Sequence, residues 1–313
     1  MLKDFLAAGR VANLPSVVSN VSLGAGLAIL TGKNLEIASL LAAVNSGCVL
    51  YLGGCFLNDW KDRDWDARHR PERAVPAGRL SARLILGLAI TFLALGVIIA
   101  ATLSLSALAV AGGIVLSVVI YTWLHKRTAW GVLFMGVSRS LLYLLGFYFQ
   151  PENGFETILV VGASEAELVM NAGLVVLPAL GLTSYVAGLS LFARAESREV
   201  VPQVTRTFAL MLLLAPVATH AFFSVAFHPL WTLLALLPFL GVTILGIRAM
   251  PKSVPRGVSL LLANISLVDL VAALPLALML SALLEMPEGW FFALTSALAF
   301  GIALLLQKVT PAT

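Results

Sequence analysis

The sequence predicts an all-α polytopic membrane protein: one integral-membrane domain, residues 1–313, built as a bundle of nine or ten transmembrane helices. Three observations lead there. Hydrophobic residues make up 60% of the 313 residues and charged residues only 12%, with a mean hydropathy of +0.97, well outside the range of soluble chains. Apolar runs long enough to cross a bilayer, about 20 residues, recur from one end of the sequence to the other. The basic residues collect in alternate loops, as the positive-inside rule requires of a multi-span protein.

In chain order the expected spans are Leu14 to Thr31, Ile37 to Leu57, Leu84 to Leu103, Leu105 to Leu124, Gly131 to Phe149, Ala172 to Ala193, Phe208 to Phe227 and Leu230 to Ile247. The stretch Val258 to Leu306 is long enough for two more, divided at Glu285-Met286-Pro287-Glu288; if one segment merely dips, the total is nine. The runs are continuous and lack the alternation of a membrane barrel, so helices are the spanning elements.

With the N-terminus inside, every Lys and Arg except Lys33 and Arg139 falls in an inner segment, whereas Glu36, Glu152, Glu156, Glu165, Glu167, Glu285 and Glu288 fall outside. This places the motif loops on the cytoplasmic side of a cell inner or plasma membrane. It also accounts for a net charge of +4 without a nucleic-acid partner. Cys48 and Cys55 share one apolar segment and read as packing residues. Gly24 to Gly26 and Gly112-Gly113 read as close helix contacts, since no strand precedes them to form a phosphate loop.

The second expected span runs into Asn58-Asp59-Trp60-Lys61-Asp62-Arg63-Asp64-Trp65-Asp66. If the helix continues, Asn58, Asp59, Asp62 and Asp66 share an arc of about 100° while Asp64 points away. Clustered carboxylates repel unless a cation sits among them. Mg²⁺ is the natural guest, because it takes oxygen ligands and leaves part of its shell for waters or phosphate oxygens. The alternative is a solvated loop in which these acids pair with Lys61, Arg63, Arg68, Arg70 and Arg73.

Asn58-Asp59-x-x-Asp62-x-x-x-Asp66 resembles the first aspartate-rich motif of the UbiA superfamily of intramembrane prenyltransferases, which lies at the cytoplasmic end of the second helix. Arg70-Pro71-Glu72-Arg73-Ala74 through Gly78-Arg79-Leu80-Ser81 is similar to that family's Arg-Pro-x-Arg-Pro segment, with Ala74 in place of the second proline. Tyr121 with Lys126-Arg127-Thr128, and Arg10 with Asn13, match more loosely. The resemblance implies Mg²⁺-dependent transfer of an isoprenyl group from its diphosphate to a lipophilic, aromatic acceptor within the bilayer. Asp59, Asp62 and Asp66 would be catalytic and, with Asn58, metal-binding. Arg70, Arg73, Tyr121, Lys126 and Arg127 would contact substrate, and aromatic rings such as Tyr121 and Tyr185 would line the pocket.

The family's second aspartate-rich motif has no aspartate counterpart here. Leu191 to Glu199 offers only Glu196 and Glu199 as acids, beside Arg194 and Arg198. The glutamates could hold a second metal, or Arg194 could hold phosphate directly. The departure motivates a rival reading, a non-catalytic membrane carrier of a prenylated or amphipathic metabolite. Two charges fall inside expected spans, Arg139 and Asp269. A lone charge there costs roughly 2.5 to 3.5 kcal/mol on insertion scales, so each should face a polar interior, as a substrate contact or as partners of one another.

Overall fold

The computed structural model describes residues 1–128, 130–150, 165–194, 203–219, 221, 229–283 and 285–310. Its elements are helices: α1 (Leu2–Ala8), a short 3-10 turn (Val11–Asn13), α2 (Leu14–Leu30), α3 (Ile37–His69), α4 (Ala82–Ala101), α5 (Leu105–Leu124) and α6 (Gly131–Phe147). There follow α7 (Glu165–Arg194), α8 (Gln203–Leu213), α9 (Pro229–Ala249), α10 (Val254–Ala263), α11 (Ile265–Leu283) and α12 (Trp290–Leu306). The described residues contain no strand, and the fold is the all-α bundle expected.

Among the described residues, seven helical segments are long and apolar enough to cross a membrane, and three shorter apolar helices, Gly131–Phe147, Arg206–Thr219 and Leu233–Ala249, stand where three further spans were expected. A count of nine or ten crossings rests on those three. Exposed Leu and Ile side chains, among them Ile98 on α4, Leu237 on α9 and Leu298 on α12, give the bundle an apolar exterior that suits lipid contact.

Helix α2 is central. It packs against α3, α6, α11 and α12, and 83% of its span is buried against 28% for α4. Two glycines permit the tightest contact: a Cβ on Gly24 would lie 1.9 Å from the Tyr143 carbonyl oxygen, and one on Gly146 would lie 1.9 Å from that of Val21. Backbones of α2 and α6 therefore touch, as small residues allow in membrane helices. Gly26 also abuts Leu276 and Phe292, but Gly112 meets nothing within 4 Å, so the packing role expected of it is not found.

Helix α3 is 33 residues long, about 50 Å at 1.5 Å per residue, well beyond a hydrocarbon core of about 30 Å. Its polar last turns are therefore in excess of the length a crossing needs. It ends at His69, two residues before Pro71, whose ring disfavours a helical conformation at Arg70. The acidic cluster is thus helical throughout, which puts Asn58, Asp62 and Asp66 at successive turns of one face.

Candidate active-site cavity

Between α3, α5, α6, α7 and α10 lies a cavity of about 520 Å³. Its inner walls are apolar, with Leu50, Ile114, Val118, Leu142, Val186 and Leu262 among the lining residues. One end is charged. Asn58, Asp62 and Asp66 line it from α3, with Arg70 and Arg73 from the following loop, His125 and Lys126 from the end of α5, Arg194 from α7 and Arg10 from the N-terminal turn.

The carboxylates are buried and paired. Asp62 is 7% exposed and Asp66 2%, whereas Asp64, on the other side of α3, is exposed and lies 3.6 Å from Arg63. Lys126 Nζ lies 2.8 Å from Asp62 Oδ1, and His125 Nε2 lies 3.3 Å from Asp62 Oδ2. Arg73 Nη1 bridges Asp66 at 3.1 Å and Asp59 at 3.6 Å. Asp59 itself turns toward Arg10, whose Nη2 donates to it at 2.9 Å, and it does not line the cavity. The repulsion among the acids is therefore offset by the chain's own cations.

Backbone geometry supports the Arg10 contact. Arg10 has φ 45° and ψ 47°, a left-handed conformation that costs a non-glycine residue about 1 kcal/mol or more. The ion pair with Asp59 offsets that strain and holds the turn between α1 and α2 against the end of α3. On the outer side of the same turn, Arg79 Nε donates to Asp4 at 2.7 Å, and this bond, with the N-terminal ammonium 3.2 Å away, holds the Asp4 carboxyl below its ordinary value of 3.8.

The donor set fits a magnesium ion in part. Asn58 Oδ1 is buried without a hydrogen-bond partner among the described residues, while Asn58 Nδ2 donates to Asp62 Oδ2 at 3.3 Å, so that amide oxygen and Asp62 stand side by side one helical turn from Asp66. No three His, Cys, Asp or Glu side chains among the described residues converge as a complete cage. An ion here would draw its remaining ligands from water and phosphate oxygens, which is how Mg²⁺ is commonly held.

Of the remaining expected site residues, Tyr121 lines the cavity and stacks on His125 with ring centroids 4.6 Å apart. Arg194 Nη2 donates to the His125 carbonyl and, at 2.8 Å, to that of Thr128, tying the end of α7 to the α5 loop. Arg127 is exposed and off the cavity. Tyr185 also lies off it, fully buried, donating to the Leu261 carbonyl at 2.9 Å and accepting from Asn264 at 3.1 Å. Glu196 and Glu199 lie outside the described residues.

Arg139 lines the cavity, whereas Asp269 is fully buried behind it. The two are not directly paired. Asn20 stands between, donating Nδ2 to both Asp269 oxygens at 2.9 Å and accepting from Arg139 Nη1 at 3.3 Å. Ser19 and Tyr143 complete the acid's hydrogen bonds.

The contributions of His125, Asn20 and Tyr143 escape sequence reasoning. His125 stands four residues after Tyr121 and beside Lys126, one helical turn on, and that spacing was the available signal. Trp65, too, lines the cavity, with Lys126 Nζ 4.0 Å from its ring centroid.

The sequence matches the profile of the UbiA prenyltransferase family over residues 19–268. It is 30% identical over 127 residues to a digeranylgeranylglyceryl phosphate synthase from Methanopyrus kandleri, covering 41% of this chain and 45% of that one. It is 27% identical over 241 residues to a protoheme IX farnesyltransferase from Alkalihalophilus pseudofirmus, covering 68% and 72%. The chain thus spans less than half the length of the Methanopyrus protein. In fold it resembles a solved digeranylgeranylglyceryl phosphate synthase, with TM-score 0.55, 17% identity and coverage of 99% and 98%. It also resembles the apo UbiA homologue from Aeropyrum pernix K1, with TM-score 0.50, 16% identity and coverage of 93% and 98%.

Proposed function

Since the chain belongs to the UbiA prenyltransferase family, we propose that it is an enzyme that moves an isoprenyl group from an isoprenyl diphosphate to a lipophilic acceptor inside the membrane, with Mg²⁺ as cofactor. The observation that carries this reading is the joining, in one cavity, of a charged mouth and an apolar chamber. A ligand with a polyanionic head and a hydrocarbon tail matches both. At the mouth, Arg10, Arg70, Arg73, Lys126 and Arg194 outnumber Asp59, Asp62 and Asp66, so the site retains positive charge for a diphosphate. The mouth faces the cytoplasm in this proposal, from the distribution of basic loops.

Asn58, Asp62 and Asp66 would hold the metal, joined by Asp59 once Arg10 turns aside. Bound there, Mg²⁺ supplies charge neutralisation to the departing pyrophosphate. Arg73 and Lys126, now paired with carboxylates, turn their charge to phosphate oxygens as the acids are engaged elsewhere. The bond between C1 of the isoprenyl group and the diphosphate oxygen breaks, and electron density leaves with pyrophosphate. Tyr121 and Trp65 present ring faces to the electron-poor allylic carbon. The apolar walls exclude water, which would otherwise capture that carbon. The acceptor bonds C1 and gives up a proton, for which the basic pyrophosphate is the acceptor.

The test is incubation of the purified protein with labelled isoprenyl diphosphates of several lengths, candidate acceptors and Mg²⁺. Metal-dependent pyrophosphate release should fall at least about 100-fold in Asp62→Ala, on the scale of losing a metal-positioning group. Full activity in that variant, or transport of a prenylated compound across vesicles with no turnover, would favour the carrier instead.

A further inference from the structure

Arg139 lines the cavity and is buried, 6% exposed. Its guanidinium carbon lies 4.6 Å from the centroid of the Tyr51 ring, and Tyr51 precedes Asn58 by seven residues on α3, about 10 Å along the helix. The ion pairs among the described residues do not include Arg139. Among the described residues its hydrogen bond runs to the neutral amide oxygen of Asn20.

The nearby acid does not take its place. Asp269 receives Asn20 Nδ2, the Tyr143 hydroxyl at 2.5 Å and Ser19 Oγ, and Asn20 uses its donors on Asp269 and its acceptor on Arg139. The network therefore orients the guanidinium and, among the described residues, leaves most of its N–H fork unmatched, beside a cavity lined by Asn13, Tyr51 and Ser138 as well as by Leu50, Ile114, Leu142 and Ile265. A buried cation with unused donors is costly in a membrane interior. The planar fork is complementary to an oxyanion held by two parallel bonds.

We infer that Arg139 is the anchor of a second ligand subsite, which binds the acceptor through a carboxylate or phosphate group and so makes the acceptor an amphiphilic anion. This inference rests on the proposed prenyl transfer only for calling that ligand the acceptor. The subsite itself follows from the buried cation and the cavity. An anionic head at Arg139 places the body of the acceptor in the chamber between Tyr51 and the mouth, where the isoprenyl C1 would lie.

The test uses the full chain purified in detergent and simple probes: benzoate, phenyl phosphate and the neutral benzamide, with Mg²⁺ plus pyrophosphate as a probe of the mouth. Titration calorimetry should show benzoate or phenyl phosphate binding, benzamide binding at least tenfold more weakly, and at least a tenfold loss of anion binding in Arg139→Gln with pyrophosphate binding kept. Arg139→Lys, which retains the charge and removes the fork, should bind the anion several-fold more weakly and decides the matter if the glutamine variant does not fold. Whichever of the two anions binds identifies the headgroup. Anion binding within twofold of wild type in both variants, no binding of either anion, or equal binding of benzamide overturns the inference. Failure of Mg²⁺ plus pyrophosphate to bind wild type would instead overturn the proposed function and leave the subsite to be judged on the anions.

Discussion

Replacing Lys126 with methionine separates the two roles that a cation can play at the mouth. Lys126 Nζ stands 2.8 Å from Asp62 Oδ1, with side-chain exposures of 30% and 8%. Two unit charges at that distance interact by about 6 kcal/mol at an effective dielectric of 20. Exposed pairs retain under about 1 kcal/mol of such attraction, and losing one partner of a fully buried pair costs about 3–5 kcal/mol. This pair has one wet end, and His125 remains 3.3 Å from Asp62, so about 1–2 kcal/mol is at stake, a factor of roughly 5–30 in an equilibrium constant. The signs differ between ligands. Without the competing ammonium, Asp62 should take Mg²⁺ alone more tightly by that factor, while pyrophosphate in metal-free buffer should bind more weakly by a similar one. Titration calorimetry reads both, and Lys126→Arg should leave both near wild type. Mg²⁺ affinity that stays constant, or falls together with pyrophosphate affinity, would show that Asp62 is not a metal ligand in competition with Lys126.

Two further predictions concern the frame around the site. Gly24→Ala should destabilise by about 3 kcal/mol or more, because its Cβ would lie 1.9 Å from a backbone oxygen of α6 and rigid backbone cannot yield as a side chain can; thermal unfolding in detergent checks this, with Gly112→Ala, which meets nothing within 4 Å, expected to hold or raise the midpoint through better helix propensity. The Asp4 carboxyl is held below 3.8 by Arg79, so its hold on α1 is present above that value and is lost as pH falls through the depressed one. Hydrogen exchange of α1 amides should be faster in Asp4→Asn at pH 7, and wild type should reach the variant's rate only in acid below about pH 4.

What could be read from the chain was what is local. The spacing of Asn58, Asp62 and Asp66 at successive turns fixes a common face once the helix runs on to His69, and the hydrophobic runs fix the bundle. The partners of those acids were not legible, because Arg10 reaches Asp59 across 49 residues and Lys126 reaches Asp62 from another helix. Cation supply was foreseen only from the neighbouring loop, where Arg73 does pair with Asp59 and Asp66. Tyr185 was grouped with Tyr121 by residue type, but Asn264 and the Leu261 carbonyl hold it among α7, α10 and α11. Arg139 and Asp269 invited a direct pairing by sign alone, and no pattern in the sequence marks Asn20 as the neutral residue that stands between them.

That interposed amide bears on the chemistry as well as on packing. Had Asp269 met Arg139 directly, the guanidinium would be neutralised by the acid and would offer a ligand no unmatched charge. With Asn20 between, the acid's hydrogen-bonding capacity is taken up by Ser19, Asn20 and Tyr143, and the cation keeps its own for the cavity. Tyr51, which carries the Arg139 guanidinium over its ring, and the carboxylates of the mouth then stand at two levels of one continuous helix, α3. The rise from Tyr51 to Asn58, about 10 Å, is set by that helix. A diphosphate at one level and an acceptor headgroup at the other would hold the reacting carbons between them in the chamber. Orientation of this kind, paid for in the folding of α3, is what converts an encounter of two lipids into a reaction.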